Sequence, residues 1–586
     1  MQRPPRSITG RIGLHPRGFG FVEFDGGESA FVAPPELSAP RSGVPLLEGD
    51  RVTATVTEDD QGRLSAANLT LVERQRSELF GTVVARAGKR FLRVDRAVGN
   101  TDWEIEGDAL VGANLVGSIR GARIVPLRTV DPNEAGLTRV IVRHGLRSEF
   151  PPECLDLARL ARLTLVTRRD LRAIPTVTID ALVTKDLDDA LAVLPAAPDG
   201  ALRLLVSISD VDALVPEGSA LDLEARTRGT SVYLADRVIP MLPQPLSEAT
   251  LSLVPGEDRA ALTVELRIDE EGTVTSVDLY ESLIRSHARL DYETVATFLD
   301  TGDTSAIPEG VRSTLRWLRT ATGRVSVGRH ARGGVEIVRE EATITLDAGQ
   351  PTAIAATRVT RAHRMVERLM VAANEAVARW LVERGLPGVF RVHDEPDEGR
   401  VRMLAEFAKN FGLEPGLGAR LTPRGLAALE AQYEGTPIEP AMLTVLGRVL
   451  GPARYTVHPS LHFGLAAPMY VHFTSPVRRY ADLTVHRIVK GYLGGERDRR
   501  AGEESLEELA VHLNDAAWRA TKAENERLRM LAARLFGTRL KERFAGHIVA
   551  IKPFGAVVQL AGTGVTGTVA VEALVGGPFR LDAKTQ

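Results

Sequence analysis

The sequence predicts a multidomain α+β protein: one large body of mixed sheet and helices, flanked on both sides by small β-barrels. Its 586 residues exceed the usual domain size of about 100–150 residues several times over, which excludes a single domain. Period-two alternation of apolar and polar residues fills two stretches near the start and returns near the end, as half-buried strands require. Between them, strands and helices alternate from Pro175 to about Leu493 without a clear linker. Charged residues at 25% and hydrophobic ones at 44% are ordinary globular usage and exclude a disordered or fibrous chain.

Taken in order, residues 1–73 read as short strands punctuated by Gly and Pro, with GFGFVEF (18–24) and SAFVAP (29–34) as the clearest runs. Alternation places Phe19 and Phe21 on one face with Phe31 close by, where exposed rings could stack on unpaired bases or, as Phe more often does, fill the barrel's own core. The segment resembles a cold-shock OB-fold, and that resemblance implies that the three rings contact RNA. Residues 74–130 repeat the rhythm (GTVVARAGKRFLRVD) and resemble a degenerate second OB-fold, with only Phe91 and Trp103 as candidate stacking rings. Residues 131–174 form a connector bounded by prolines, with helical apolar spacing from Leu155 to Leu165.

Residues 175–495 are the α+β body. Residues 496–543 follow as a helical segment in which Ser505 to Phe536 is one long helix or a helix pair, from the spacing of Leu506, Leu509, Leu513, Ala517, Leu528, Leu531 and Leu535. Residues 544–586 return to strands and resemble the first half of an S1-type OB-fold, which the remaining residues do not complete; a sequence cut short is expected.

Charge and cysteine usage narrow the function classes. Cys154 is the sole cysteine, so no disulfide partner and no cysteine-based zinc cluster is expected, and a reducing, cytoplasmic setting suits the chain. The opening Met1 to Gly10 carries arginines and prolines without an apolar run behind them, so export is not expected. The uncharged stretches Tyr455–Val477 and Pro553–Val571 are broken by His, Pro, Gly and Thr, and neither reads as a membrane span of about 20 apolar residues. Net charge is −3, so contact with a polyanion must be local. Glu309 to Arg339 holds seven arginines against two glutamates, which fits either such a patch or a solvated helix face.

The most informative segment is TIDALVTKDLDDA (178–190), where Asp180, Asp186, Asp188 and Asp189 fall within ten residues. At an effective dielectric near 20, each like-charge pair about 4 Å apart costs on the order of 4 kcal/mol. A hard cation such as Mg²⁺ removes that cost, since it binds oxygen and is usually held by one or two carboxylates plus substrate phosphates. A solvated acidic loop is the plainer alternative. An EF-hand fails, because Leu191 stands where its glycine is required.

This aspartate spacing, LDLEARTRGTSVYLADRVIPMLP (221–243) and HFGLAAPMYVHFTSPVRRYADLTVHR (462–487) together resemble the RNase II/RNase R (RNB) family of exoribonucleases over essentially the whole chain, closer to the RNase R side in domain order. The resemblance implies an RNB catalytic domain flanked by OB-folds and a processive 3′→5′ hydrolysis of single-stranded RNA to nucleoside 5′-monophosphates. The competing readings are an enzyme that stalls at duplexes and a non-catalytic RNA-binding protein of the same fold. Asp180, Asp186 and Asp189 would hold Mg²⁺, with Mn²⁺ able to substitute. Asp188 would be both a metal ligand and the carboxylate most tied to catalysis. Arg478 would clamp the scissile phosphate, Tyr233 would stack on the terminal base, and Tyr292 and Glu367 would read the ribose 2′-hydroxyl. An opposing aromatic is absent near Val338. A monomer without membrane contact is expected.

Two readings of local chemistry accompany the resemblance. Ser475 and Pro476 look like the N-cap and first position of a helix, whose free amides with Arg478 and Arg479 would form an anion site. A helix salt bridge from Arg478 to Asp482 is the alternative. His458, His462, His472 and His486 match no zinc spacing, so packing and hydrogen bonding are expected of them.

Overall fold

The computed structural model describes residues 6–577 apart from 16, 25–27, 39, 61, 75, 164–166, 195–198, 336–340, 419, 496–502 and 575. The chain forms two compact units, residues 1–148 with 525–530 and residues 149–524 with 531–586.

The first unit holds two closed barrels of five strands. In the strand Gly20–Phe24 the side chains alternate in and out, so Val22 and Phe24 join Ile12, Val32, Val52 and Leu69 in the core while Phe21 and Glu23 face outward. In the second barrel Trp103 is 0% exposed among Leu79, Val83, Leu92 and Ile124. The expectation that it offers a stacking ring is thereby overturned: a barrel this small is filled by its largest inward side chain. Each barrel carries a glycine in its first strand where the neighbouring strand crosses closely. A Cβ on Gly10 would meet the carbonyl of Glu23, and one on Gly81 the carbonyl of Arg93. The connector begins with the helix Ala135–Arg143, whose Val142 packs on Val116 and Val130 of the second barrel. Its apolar run then forms the helix Pro152–Leu160, shorter than expected, with Pro152 in the first turn.

The second unit is built on a six-stranded sheet. Its strand Val274–Asp291 pairs antiparallel with Asp258–Ile268 as far as Arg285, then from Ser286 runs parallel to Thr176–Asp180. One long strand thus curls the sheet back on itself. The helices Glu309–Ala331 and Arg361–Glu383 cover a face of it, with Val311, Leu315, Leu318 and Val325 of the first and Met365, Leu369, Ala373 and Ala376 of the second in the same core as Val177, Val206 and Val264. The arginines of the first helix divide, Arg316 and Arg319 being exposed and three others turned inward. Arg312, Arg324 and Arg329 donate to the carbonyls of Ile307, Gly200 and Val335 at 2.8–3.0 Å, and Arg339 lies outside the described residues.

Residues Glu503–Gly537 form a single helix, and the strands Gly546–Lys552, Gly555–Leu560 and Thr566–Ala570 make a three-stranded antiparallel sheet. Cys154 is buried and its thiol donates to the carbonyl of Ala220. Among the described residues no helix is long and apolar enough to cross a membrane.

A buried ionic network fastens the helix Tyr480–Leu493 to the segment 210–222 that follows the strand Leu202–Ser209. Arg487 donates to Asp222 at 2.7 Å and Asp212 at 2.9 Å, while Lys490 binds Asp210 and Asp212, each at 2.9 Å. Asp222 also accepts from the Tyr480 hydroxyl at 2.8 Å. Removing one side of such a pair leaves the other buried and unpaired. Asp222→Ala is therefore expected to destabilise the second unit by about 3–5 kcal/mol in urea unfolding; a loss under about 1 kcal/mol, as for a surface pair, would show the network to be dispensable.

Candidate active site

The aspartate cluster is created by strand directions. Thr176–Asp180 runs parallel to the end of Val274–Asp291, with Asp180 opposite Asp291, and antiparallel to Asp189–Leu194, with Val177 opposite Leu191. Asp180 at the end of one strand, Asp189 at the start of the next, and Tyr292 just after the third therefore emerge at one end of the sheet. The connecting loop is anchored at both ends. Arg289 donates to the carbonyls of Leu182 at 2.8 Å and Thr184 at 2.5 Å, and the amide of buried Leu187 donates to Ser252 Oγ at 3.1 Å.

These groups line a cavity of about 440 Å³ that also contains Asp186, Asp188, Tyr233, Glu367 and Arg478. All candidate residues of the second unit thus meet in one place. The electrostatics are those of an overcrowded acidic site. Burial, and after it Asp189, pushes the Asp180 carboxyl above the usual range, with Arg289 opposing. Burial also raises Asp186, Asp188 and Asp189, each opposed by Arg478. Asp180 Oδ2 is buried and has no hydrogen-bond partner among the described residues.

Among the described residues no three acidic or imidazole groups form a ready-made metal cage. The all-oxygen donors of the four aspartates, with one orphaned buried Oδ2, suit a hard divalent ion whose remaining positions water and phosphate oxygens would fill.

The loop carrying Arg478 differs from its sequence reading. The helix begins at Tyr480 with Arg479 as N-cap, not at Ser475. The cause is Asp482, which accepts from the Ser475 amide at 2.8 Å and pairs through both oxygens with Arg479 at 2.7 and 2.8 Å. Asp482 is thus Arg479's partner, and the alternative pairing with Arg478 is excluded. The expected free amides are engaged as well: the Val477 N–H donates to Asp188 Oδ1 at 3.1 Å. The Arg478 side chain stands in the cavity with Nε 3.7 Å from Asp188 Oδ2 and Nη2 donating to Ser475 Oγ at 3.2 Å. Its carbonyl accepts from the Ser231 amide and the Thr230 hydroxyl, which stitches the strand of Tyr233 to the same loop. Tyr233 is 41% exposed at the cavity wall. Val338 lies outside the described residues.

The sequence reading assigned no role to His363 or Asn374, and expected only packing and hydrogen bonding of His472. Asn374 clamps the loop from behind, donating to the Tyr470 hydroxyl and accepting from the Phe473 amide, both at 2.9 Å. His472 is hydrogen-bonded to the Tyr455 hydroxyl at 2.8 Å, and buried His486 to the Phe473 carbonyl at 2.8 Å. The ring of His363 lies 3.7 Å from that of Tyr292, 19° from parallel. The signal for His363 and Asn374 was their helical register with Glu367 and Met370, which puts 363, 367, 370 and 374 on one face.

A second candidate surface lies on the first barrel. Phe19, Phe21 and Phe31 form a triangle with centroids 5.8 Å apart, and Phe21 and Phe31 are 42% and 40% exposed. The alternative that these rings fill the core is excluded. His15 adds a fourth ring, stacked on Phe19 at 4.2 Å, from a hairpin position that no spacing rule singles out.

Comparison with known proteins agrees with this geometry. Residues 168–495 match the RNB domain and residues 10–70 the Ribonuclease B OB domain. Ribonuclease R of Aquifex aeolicus is 33% identical over 98% of this chain and 84% of its own length. Ribonuclease R 1 of Lactococcus lactis is 31% identical over 98% of this chain and 74% of its own. The apo form of Mycoplasma genitalium RNase R superposes with a TM-score of 0.89 at 25% identity, covering 99% of this chain and 94% of that one.

The raised carboxylates make the cation-free fold sensitive to pH. The folded chain holds protons at Asp180, Asp188 and Asp189 above the ordinary value of 3.8, where the unfolded chain has released them. Their contribution to stability therefore falls as pH rises through that window. In EDTA, Asp180→Asn is expected to gain stability relative to the wild type between pH 4 and pH 8, read from urea midpoints. A constant difference across that range would contradict the crowding.

Proposed function

The chain belongs to the RNB family of ribonuclease R-type enzymes, 3′→5′ exoribonucleases, and from that premise we propose that its acidic cavity is where the last phosphodiester of an RNA strand is hydrolysed. The observation that carries this reading is the convergence of four aspartates, Arg478, Tyr233, Tyr292 and Glu367 in a single cavity. The reading includes single-stranded RNA as substrate, Mg²⁺ with Mn²⁺ able to replace it, and a monomer working in the cytoplasm.

Asp180, Asp186 and Asp189 would hold the cation together with Asp188. When bound, Mg²⁺ offsets the carboxylate repulsion, polarises the phosphate and lowers the pKa of an attacking water. Asp188 is the carboxylate whose position is most constrained, buried at 5% exposure and held by the Val477 amide, so it orients the reacting end of the site. Arg478 is tethered weakly enough, 3.7 Å from Asp188, for its guanidinium to donate to the scissile phosphate and stabilise charge gained in the transition state. Water oxygen bonds to phosphorus as the 3′ oxygen of the preceding nucleotide leaves with a proton, and the terminal nucleotide departs with its 5′-phosphate. Tyr233, exposed at the wall, supplies a stacking face for the terminal base. Tyr292 and Glu367 supply hydroxyl and carboxylate partners for the ribose, and a site built for a hydroxyl can reject the analogue lacking it by about 10⁴-fold or more.

Incubating 5′-labelled RNA and its DNA counterpart with Mg²⁺ or EDTA tests the proposal. Stepwise shortening of RNA alone, in Mg²⁺ alone, is expected; internal cuts, metal-independent cleavage or equal digestion of DNA would falsify it. Arg478→Ala is expected to lower kcat by about 10²–10³-fold. Asp188→Asn should abolish cleavage while filter binding of RNA survives, and loss of both would assign Asp188 to folding.

A further inference from the structure

Tyr292 is fixed along its backbone but not at its hydroxyl. It opens the helix Tyr292–Thr301, whose N-cap Asp291 accepts from the Thr294 amide at 2.8 Å and from the Thr294 hydroxyl at 2.7 Å. Among the described residues no hydrogen bond holds the Tyr292 hydroxyl. The direction of the ring in the cavity therefore rests on packing: Tyr292 sits partly buried against the sheet core, and the imidazole of His363 stacks on its ring at 3.7 Å and 19°.

His363 is itself immobilised. It is the third residue of the helix Arg361–Glu383, and its Nδ1 contacts the hydroxyl of the N-cap Thr360 at 2.8 Å. The Thr360 amide donates to the same nitrogen at 3.2 Å. An N–H pointing at Nδ1 requires that nitrogen to be the acceptor, so the neutral ring carries its proton on Nε2. Two helix starts are thus joined through one ring pair, the first bringing Tyr292 and the second bringing Glu367 one turn further on. His363 and Glu367 line both the catalytic cavity and an adjoining cavity of about 540 Å³.

We propose that His363 is a positioning residue that sets the preference for ribose over deoxyribose by holding the Tyr292 ring against the sugar site. The inference rests on the reading, made above, that Tyr292 meets the 2′-hydroxyl. Its physical content is that a hydroxyl contact discriminates only when its distance and angle are held, and that misplacement by about 1 Å can cost 10²-fold. The stack supplies that restraint without touching the substrate.

His363 has two separable jobs, capping its helix and stacking on Tyr292, and two substitutions separate them. His363→Asn keeps a polar side chain for the cap and loses the ring. His363→Phe keeps the ring and loses the cap acceptor. The readout is the ratio of kcat/KM on matched RNA and DNA strands in Mg²⁺, with thermal unfolding recorded for each variant. The proposal expects His363→Asn to lower the RNA-to-DNA ratio by about 10²-fold, and His363→Phe to retain most of it even at a lower melting temperature. It also expects the double variant with Tyr292→Phe to be no worse than Tyr292→Phe alone. A ratio that survives in His363→Asn and falls in His363→Phe, or an equal loss on both substrates, would overturn it in favour of capping alone. If Tyr292→Phe itself leaves the ratio unchanged, the hydroxyl reading fails. If Tyr292→Phe lowers it and His363→Asn does not, only the role of His363 fails.

Discussion

Four carboxylates forced together at one end of a sheet are the constraint around which the second unit is arranged. Burial lifts the pKa of Asp180, Asp186, Asp188 and Asp189 above the usual carboxylate range, with neighbouring aspartates adding to it at Asp180 and Asp188, and nothing in the strand geometry relieves this. The parallel pairing of Asp180 with Asp291 and the antiparallel turn to Asp189 set the crowding. The chain's own relief is partial: Arg289 fastens the intervening loop, Val477 donates to Asp188, and Arg478 stands nearby without closing on it. The proposed function gives this acidic cavity its reason: a cation and a polyanion would complete it.

The neighbouring elements follow from that need. Asp482 draws Arg479 into a buried two-point pair and thereby leaves Arg478 on the cavity side. The carbonyl of Arg478 accepts from Ser231 and Thr230, so the tyrosine wall and the arginine loop are joined directly. The network of Arg487 and Lys490 with Asp210, Asp212 and Asp222 ties the following helix to the segment after the strand Leu202–Ser209. On the sugar side, the capped helix starts of Tyr292 and His363 set a ring pair at the wall.

Much of this was legible in the residues because its cause is local. Alternation around Val22 and Phe24 reports a barrel strand and puts Phe19 and Phe21 on one face, but which face turns outward is set by barrel closure. The 6-2-1 aspartate spacing beside a buried strand marks a cluster, and only its resemblance to the family motif favours a site over a solvated loop. What was not legible depends on partners distant in sequence. Ser475 and Pro476 carry a helix-start pattern, yet Asp482 and Asp188 engage the amides that pattern would leave open. Trp103 offers a ring on paper, but barrel closure places it inside. His363 pairs with a tyrosine 71 residues away, and no pairing rule within a helix or strand reaches that far. His15 meets Phe19 only because a hairpin folds it back.

The claim beneath the rest is that the acidic cluster is a hard-cation site. Anomalous scattering from a crystal of the whole chain soaked in Mn²⁺ tests it most directly. A peak at about 2 Å from carboxylate oxygens of Asp180 and its neighbours is the result expected. A cavity left empty at saturating Mn²⁺, or carboxylates found turned apart toward solvent, would contradict the account.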